Sequence, residues 1–124
     1  MTGETTQTRR MSVFLPPSTI GILGGGQLGR MLALEARRSG YRVAVLTNEP
    51  PGCPGGQFAD HEFNGSFEDA ELRARFLDVV DVVTAEFENI PDDCLRAVEA
   101  VRPLRPGRTA IYTTQHRERE KLFL

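Results

Sequence analysis

An apolar run that empties into a cluster of glycines and then into a helix-forming segment leaves a chain few folds to choose from. Thr19-Ile20-Gly21-Ile22-Leu23-Gly24-Gly25-Gly26-Gln27-Leu28-Gly29-Arg30-Met31 is such a run. Gly24, Gly26 and Gly29 satisfy the G-x-G-x-x-G spacing, in which the glycines allow a tight strand-to-helix turn, let backbone approach a phosphate and let the helix close on the strand. The amides and positive dipole end of the helix then face an anion. The plainer reading is a tight turn with no ligand, so the context must decide.

That context is a βαβ pattern. A strand over Thr19–Leu23 is followed by a helix over Gln27–Ser39, where Leu28, Met31, Leu32, Leu34 and Glu35 recur with helical spacing. Gly40 ends it as a left-handed cap. Arg42–Thr47 is mostly apolar, as expected of a parallel strand covered on both faces. Asn48–Asp60, with three prolines, reads as a loop, and a short strand follows near His61–Asn64. Ser66 is placed to cap a helix over Phe67–Leu77, with Glu68, Asp69 and Glu71 in its first turn. Asp81–Ala85 reads as a buried strand, and Pro91 starts a helix over Asp92–Val101. Pro103–Pro106 leads to a further short segment, and Thr114–Leu124 reads as a helix that turns apolar at Leu122-Phe123-Leu124. An apolar end of that kind points to a longer protein or to a covering partner.

The expected fold class is therefore α/β, a doubly wound parallel sheet with right-handed crossovers. Residues 1–18 are expected to form a disordered tail, with Met11 as an alternative start, residues 19–112 the domain, and residues 113–124 the start of a linker helix. At 124 residues the chain suits one domain. A net charge of −2 argues against a nucleic-acid module, whose affinity rests on a basic surface. Arg9-Arg10 ahead of Val13-Phe14-Leu15 faintly resembles an export signal, but Pro16-Pro17 stops the apolar run too soon. No stretch approaches the ~20 apolar residues of a membrane span. Two cysteines, Cys53 and Cys94, form neither a C-x-x-C pair nor a disulfide framework, so a reducing cytoplasm is expected. Neither has an evident activating group, and His61 and His116 lack partners at metal-ligand spacing, so no metal site is expected.

In open α/β sheets ligands sit beyond the carboxyl ends of the strands at a topological switch point. Gly24–Gly29 follows the first strand, and Glu86-Phe87-Glu88-Asn89 follows the Asp81–Ala85 strand. The pairing proposes a crevice with phosphate-binding amides on one wall and carboxylates on the other, able to accept hydrogen bonds from an amine or a ribose hydroxyl. Glu86 and Glu88 alternate on an extended segment, so one of them suffices to face the crevice. A dinucleotide reading competes, because Glu49 lies 20 residues beyond Gly29, where a ribose-binding acid would sit in a nicotinamide-binding module.

Three stretches together carry a more specific resemblance: Gly24-Gly25-Gly26-Gln27-Leu28-Gly29-Arg30-Met31, then Val83-Thr84-Ala85-Glu86-Phe87-Glu88-Asn89-Ile90-Pro91, then Gln115-His116-Arg117 with Glu120-Lys121-Leu122-Phe123-Leu124. In order and spacing they resemble the start of the 5-(carboxyamino)imidazole ribonucleotide synthetases, ATP-grasp ligases of purine biosynthesis. The resemblance implies a Rossmann-like pre-ATP-grasp domain with the ATP-grasp domains absent from this chain. It implies an ATP-dependent ligation in which bicarbonate becomes carboxyphosphate and the exocyclic amine of aminoimidazole ribonucleotide acquires the carboxylate. ATP and magnesium would be bound outside this chain, which alone should not catalyse the reaction. A homodimer is the assembly considered for the full-length protein. Carried over by position, Gly25, Gly26, Gln27, Leu28 and Glu86 would bind the ribonucleotide, with Glu88 and Asn89 as neighbours, and no residue is assigned to bond-making. Ala85 departs from the family's usual bulky aromatic and His116 from its usual acid. The competing classes are the nicotinamide module and a non-catalytic interaction domain docking through Leu122-Phe123-Leu124.

Overall fold

A computed structural model describes residues 14–85 and 90–105 of the chain. Within them a parallel sheet of four strands runs in the order β3-β2-β1-β4, with β1 Thr19–Leu23, β2 Arg42–Thr47, β3 His61–Asn64 and β4 Val82–Ala85. The first crossover carries the chain from β1 to β2 and the next on to β3; the third returns past β1 to β4. The winding direction therefore reverses between β1 and β4, which creates the switch point of a doubly wound sheet. Leu23 pairs with Leu46 on one side and Ala85 on the other, so β1, β2 and β4 end level at the carboxyl edge.

Each face of this sheet has its own apolar cover. Helix α1, Gln27–Arg38, lies on one face, where Ala33 packs with Ile22, Val43 and Val45, all fully buried. Its fully buried positions are small, Gly29 and Ala33, and Leu32 and Ala36 pack beside them. Leu28 and Met31, which follow the same apolar periodicity, are instead 44% and 64% exposed. Helices α2, Ala70–Val79, and α3, Asp92–Glu99, occupy the other face, with Phe76, Leu77, Cys94, Leu95 and Val98 against Leu23, Leu46 and Val83. Phe76 meets Phe63 edge-on at 6.0 Å between ring centroids, and its ring lies where a side chain at Gly21 would go, 2.6 Å from the position of a Cβ.

The elements agree in type with those read from the sequence, with shifts at their ends. α1 stops at Arg38, and Gly40 takes the left-handed conformation (φ 92°) expected of its terminator. The helix expected from Phe67 begins at Ala70, capped by Asp69 rather than Ser66. The Asp69 carboxylate accepts from the Glu71 and Leu72 amides at 3.1 Å each, while Ser66 closes a separate turn through the Glu68 amide at 3.0 Å. Phe67 forces the difference, since it is buried against the core in that turn and cannot also lie on the helix surface. Only Glu71 then remains as an acid in the first turn. α3 ends at Glu99 rather than Val101, and within the 48–60 loop Pro54–Phe58 forms a 3₁₀ helix.

Beyond α3 the chain returns to the sheet: Val83 donates to the Pro103 carbonyl at 2.9 Å and accepts from the Arg105 amide at 2.8 Å. Of the expected tail, residues 1–13 lie outside the described residues. The remainder is tied down, with the Tyr41 hydroxyl donating to the Phe14 carbonyl and the Arg42 amide to the Ser18 carbonyl. The expected domain end at 112 and linker helix 113–124 also fall outside the described residues. No helix among the described residues is long and apolar enough to cross a membrane.

Candidate functional site

The glycine turn stands at the carboxyl edge, where β1 adjoins both β2 and β4. Gly24 has φ 113°, a conformation that L side chains rarely adopt, and its amide donates to the Leu46 carbonyl at 2.8 Å, tying the turn to the end of β2. Gly26 is the N-cap of α1, and its carbonyl accepts the first intrahelical bond from Arg30 at 2.9 Å. Among the described residues no side chain caps this helix start and no acid stands in its first turn, which leaves the positive end of the dipole suited to an anion. Gln27 and Leu28 open the helix with exposed side chains, whereas Gly25 is buried. These four expected ligand contacts are therefore gathered at one helix terminus. Glu86, Glu88 and Asn89 lie outside the described residues; β4 ends at Ala85, paired with Leu23 just before the turn.

A second wall, which sequence reading passed over as an ordinary loop, packs directly on this turn. The Gly55 amide donates to the Gly25 carbonyl at 2.7 Å. A Cβ on Gly55 would lie 2.8 Å from the Gly25 Cα, and a Cβ on Gly25 would lie 2.8 Å from both the Cys53 sulfur and the Thr47 hydroxyl. Two backbones thus meet without side chains between them. Outside this contact Arg30 donates to the Gln57 side chain at 3.2 Å and its guanidinium lies 5.0 Å from the centre of the Phe58 ring.

Glu62 and Asn64 anchor the same loop from β3. One carboxylate oxygen of Glu62 accepts from the Asn64 amide group at 2.9 Å, the Gly52 amide at 3.2 Å and the Cys53 thiol at 3.3 Å. Asn64 also donates to the Glu49 carbonyl at 2.9 Å, and the Glu49 amide donates to the buried Thr47 hydroxyl at 3.1 Å. The Asn64 bond, joined by the Cys53 and Gly52 bonds, holds the Glu62 carboxyl below the usual range against its partial burial. Burial pushes the Cys53 thiol up, as does the neighbouring Glu62 charge, and this keeps it protonated and unreactive at neutral pH. Sequence inspection could have found the anchor, because the alternation Glu62-Phe63-Asn64 puts both polar side chains on the face opposite the core residue Phe63.

A separate cleft of about 220 Å³ opens between β1, β4 and α1, lined by Ile20, Ile22, Leu32, Ala36 and Thr84 with Glu35 at its rim. It is apolar, away from the glycine turn, and offers nothing suited to a phosphate. Among the described residues no group of His, Cys, Asp or Glu is arranged to hold a metal.

Comparison with known proteins identifies the family in which this turn occurs. The family described as ribonucleotide synthetase preATP-grasp domain matches residues 18–115. This chain belongs to that family. The N5-carboxyaminoimidazole ribonucleotide synthase of Brucella melitensis is 40% identical over 109 residues, which cover 88% of this chain and 30% of that protein. The crystal structure of N5-carboxyaminoimidazole ribonucleotide synthetase from Thermus thermophilus superposes with a TM-score of 0.72 at 43% identity, over 84% of this chain and 28% of the other. That of the Aspergillus clavatus synthase, in complex with ADP and 5-aminoimidazole ribonucleotide, gives 0.66 at 32% identity over 86% and 29%. The chain thus spans about three-tenths of the length of the curated relatives it matches. Membership of the pre-ATP-grasp family confirms the doubly wound α/β expectation and disfavours the nicotinamide reading built on Glu49.

Proposed function

We propose that this chain is the ribonucleotide-binding domain of an ATP-dependent ligase that carboxylates 5-aminoimidazole ribonucleotide with bicarbonate in purine biosynthesis. The observation that carries the proposal is the glycine turn that opens α1 at the switch point, with no side-chain cap or first-turn acid among the described residues, in a chain whose relatives include a synthase crystallised with this ribonucleotide. The amides of Gly25, Gly26, Gln27 and Leu28 face the anionic part of the nucleotide, where dipole and N–H groups favour negative charge. Glu86, with Glu88 and Asn89, accepts from its amine or ribose on the other wall. The role of all these residues is orientation: they place the exocyclic amine for attack on the carboxyl carbon of carboxyphosphate, from which phosphate leaves.

ATP and magnesium belong to domains outside this chain, and solved relatives hold ADP. The chain alone therefore binds and does not ligate; the complete enzyme, a cytoplasmic ligase and homodimer in this reading, does both. Titration of the chain with aminoimidazole ribonucleotide, followed by amide NMR shifts, tests the proposal. Shifts confined to residues 24–30 and 86–89, absent with NAD, are expected. No shift with the ribonucleotide, or stronger shifts with NAD, would overturn it.

A further inference from the structure

We propose that Glu62 and Asn64 are positioning residues of the ribonucleotide site, holding the 48–58 loop as the fixed support on which the glycine turn is shaped. The inference rests on the ribonucleotide reading above and extends it to two residues that lie on β3, outside the glycine motif and outside the 86–89 segment.

The chain of contacts is continuous and short. The Glu62 carboxylate gathers the Gly52 amide, the Cys53 thiol and the Asn64 side chain onto one oxygen, at 3.2, 3.3 and 2.9 Å. Asn64 reaches on to the Glu49 carbonyl at 2.9 Å, so both the start and the middle of the loop are tied to β3. The carboxylate also lies against Gly56, where an added side chain would displace it. Cys53, fixed by Glu62, fills the space beside Gly25, and Gly55, two residues further, hydrogen-bonds the Gly25 carbonyl at 2.7 Å.

A displacement of the loop by a few tenths of an ångström is therefore passed directly to Gly25, because no flexible side chain stands between the two backbones to absorb it. Among the described residues no cation pairs with Glu62. Its charge is held by Asn64 beside it on β3 and by two donors of the loop, Gly52 and Cys53, so removing the charge loosens the loop.

The test compares the 124-residue chain with its Glu62→Gln and Asn64→Ala variants. Each is titrated with aminoimidazole ribonucleotide by NMR well below its melting temperature. The rate of iodoacetamide alkylation at Cys53, read by peptide mass, reports loop opening. Asp60→Asn, which alters a carboxylate contact at the opposite end of β3, is the control. The expected result is affinity weakened about tenfold or more in both variants, faster Cys53 alkylation, slowing of that alkylation by ribonucleotide in the wild type, and unchanged affinity in the control. Wild-type binding with unchanged affinity in both variants overturns the inference and leaves the ribonucleotide site standing. Faster alkylation with unchanged affinity has the same consequence, since it assigns the anchor to loop structure alone. Absence of ribonucleotide binding in the wild type overturns the site reading and this inference with it.

Discussion

Replacing Gly55 by alanine tests the contact between the two walls most directly, because the obstacle its methyl meets is backbone and cannot rotate away. Gly55 does not have a positive φ, so alanine is conformationally acceptable there and the effect is steric. The new Cβ would stand 2.8 Å from the Gly25 Cα, 3.0 Å from its carbonyl carbon and 3.1 Å from its oxygen, whereas ordinary contact begins at 3.4 Å. Relief requires the backbones to part by about 0.6 Å, which stretches the Gly55–Gly25 hydrogen bond from 2.7 Å to beyond the ~3.2 Å of a good N–H···O bond. The lost bond costs about 0.5–1.5 kcal/mol and overpacking about 1–3 kcal/mol. Reduced freedom of the unfolded chain returns about 0.4–1 kcal/mol. A net destabilisation of about 0.5–4 kcal/mol follows, or a melting temperature lower by at least roughly 2 °C in a domain near this size. Gly40→Ala makes the informative comparison: its φ of 92° strains an alanine by about 1–2 kcal/mol at the far end of α1. Thermal and urea unfolding should show both variants destabilised, while ribonucleotide affinity falls only in Gly55→Ala. A Gly55→Ala chain as stable as the wild type would refute the claim that the backbones are in close contact.

Other perturbations probe the frame that carries the site. Phe76→Ala removes a fully buried ring packed against Phe63 and Gly21 and should cost about 3–5 kcal/mol in urea unfolding. Asp69→Ala removes the acceptor of two amides at the start of α2 and should cost about 1 kcal/mol, with Ser66→Ala costing less. Asp60 is held below the usual carboxylate range: partial burial opposes this, but the Val43 amide and Arg37 outweigh it. Its contribution is therefore complete above about pH 5 and is lost as the pH falls through 4 and below; Asp60→Asn should flatten that part of the stability profile. The effect is small, about 0–1 kcal/mol, because the Arg37–Asp60 pair is 45% and 33% exposed. Burial pushes the Cys94 thiol up with only partial compensation from Arg73, so it should resist alkylation at pH 8 until the domain unfolds.

The strands and the glycine turn were legible because each is dictated locally. Ile20-Gly21-Ile22-Leu23 and Val43-Ala44-Val45-Leu46 are apolar without alternation, which suits strands covered on both faces, and Gly24 announces a conformation that side chains avoid. Other features depended on tertiary competition. Ser66 and Asp69 both have cap chemistry, and only the burial of Phe67 in the intervening turn selects Asp69. Helical spacing identified α1, but Leu28 and Met31 share that spacing with residues that face the sheet. The fully buried positions are Gly29 and Ala33, with Leu32 and Ala36 partly buried beside them.

The loop packed on the glycine turn shows why a loop's role resists reading from composition. Pro50, Pro51, Pro54 and the neighbouring glycines declare that the segment is irregular, but the same residues describe a solvated turn equally well. What makes it a wall is a set of non-local meetings: Gly55 on Gly25, Cys53 beside Gly25, and the loop's amides on Glu62. Only the glycines' lack of side chains permits the first, and only the β2–β3 register, Val45 with Glu62 and Thr47 with Asn64, brings the last within reach. A shift of β3 by one residue would put Phe63 under the loop and Glu62 and Asn64 into the core, exchanging an anchor for two buried polar groups without partners. The packing of Phe63 on Phe76 therefore favours the register that aims Glu62 at the loop, and so links the hydrophobic core on one face to the loop that packs on the glycine turn at the carboxyl edge.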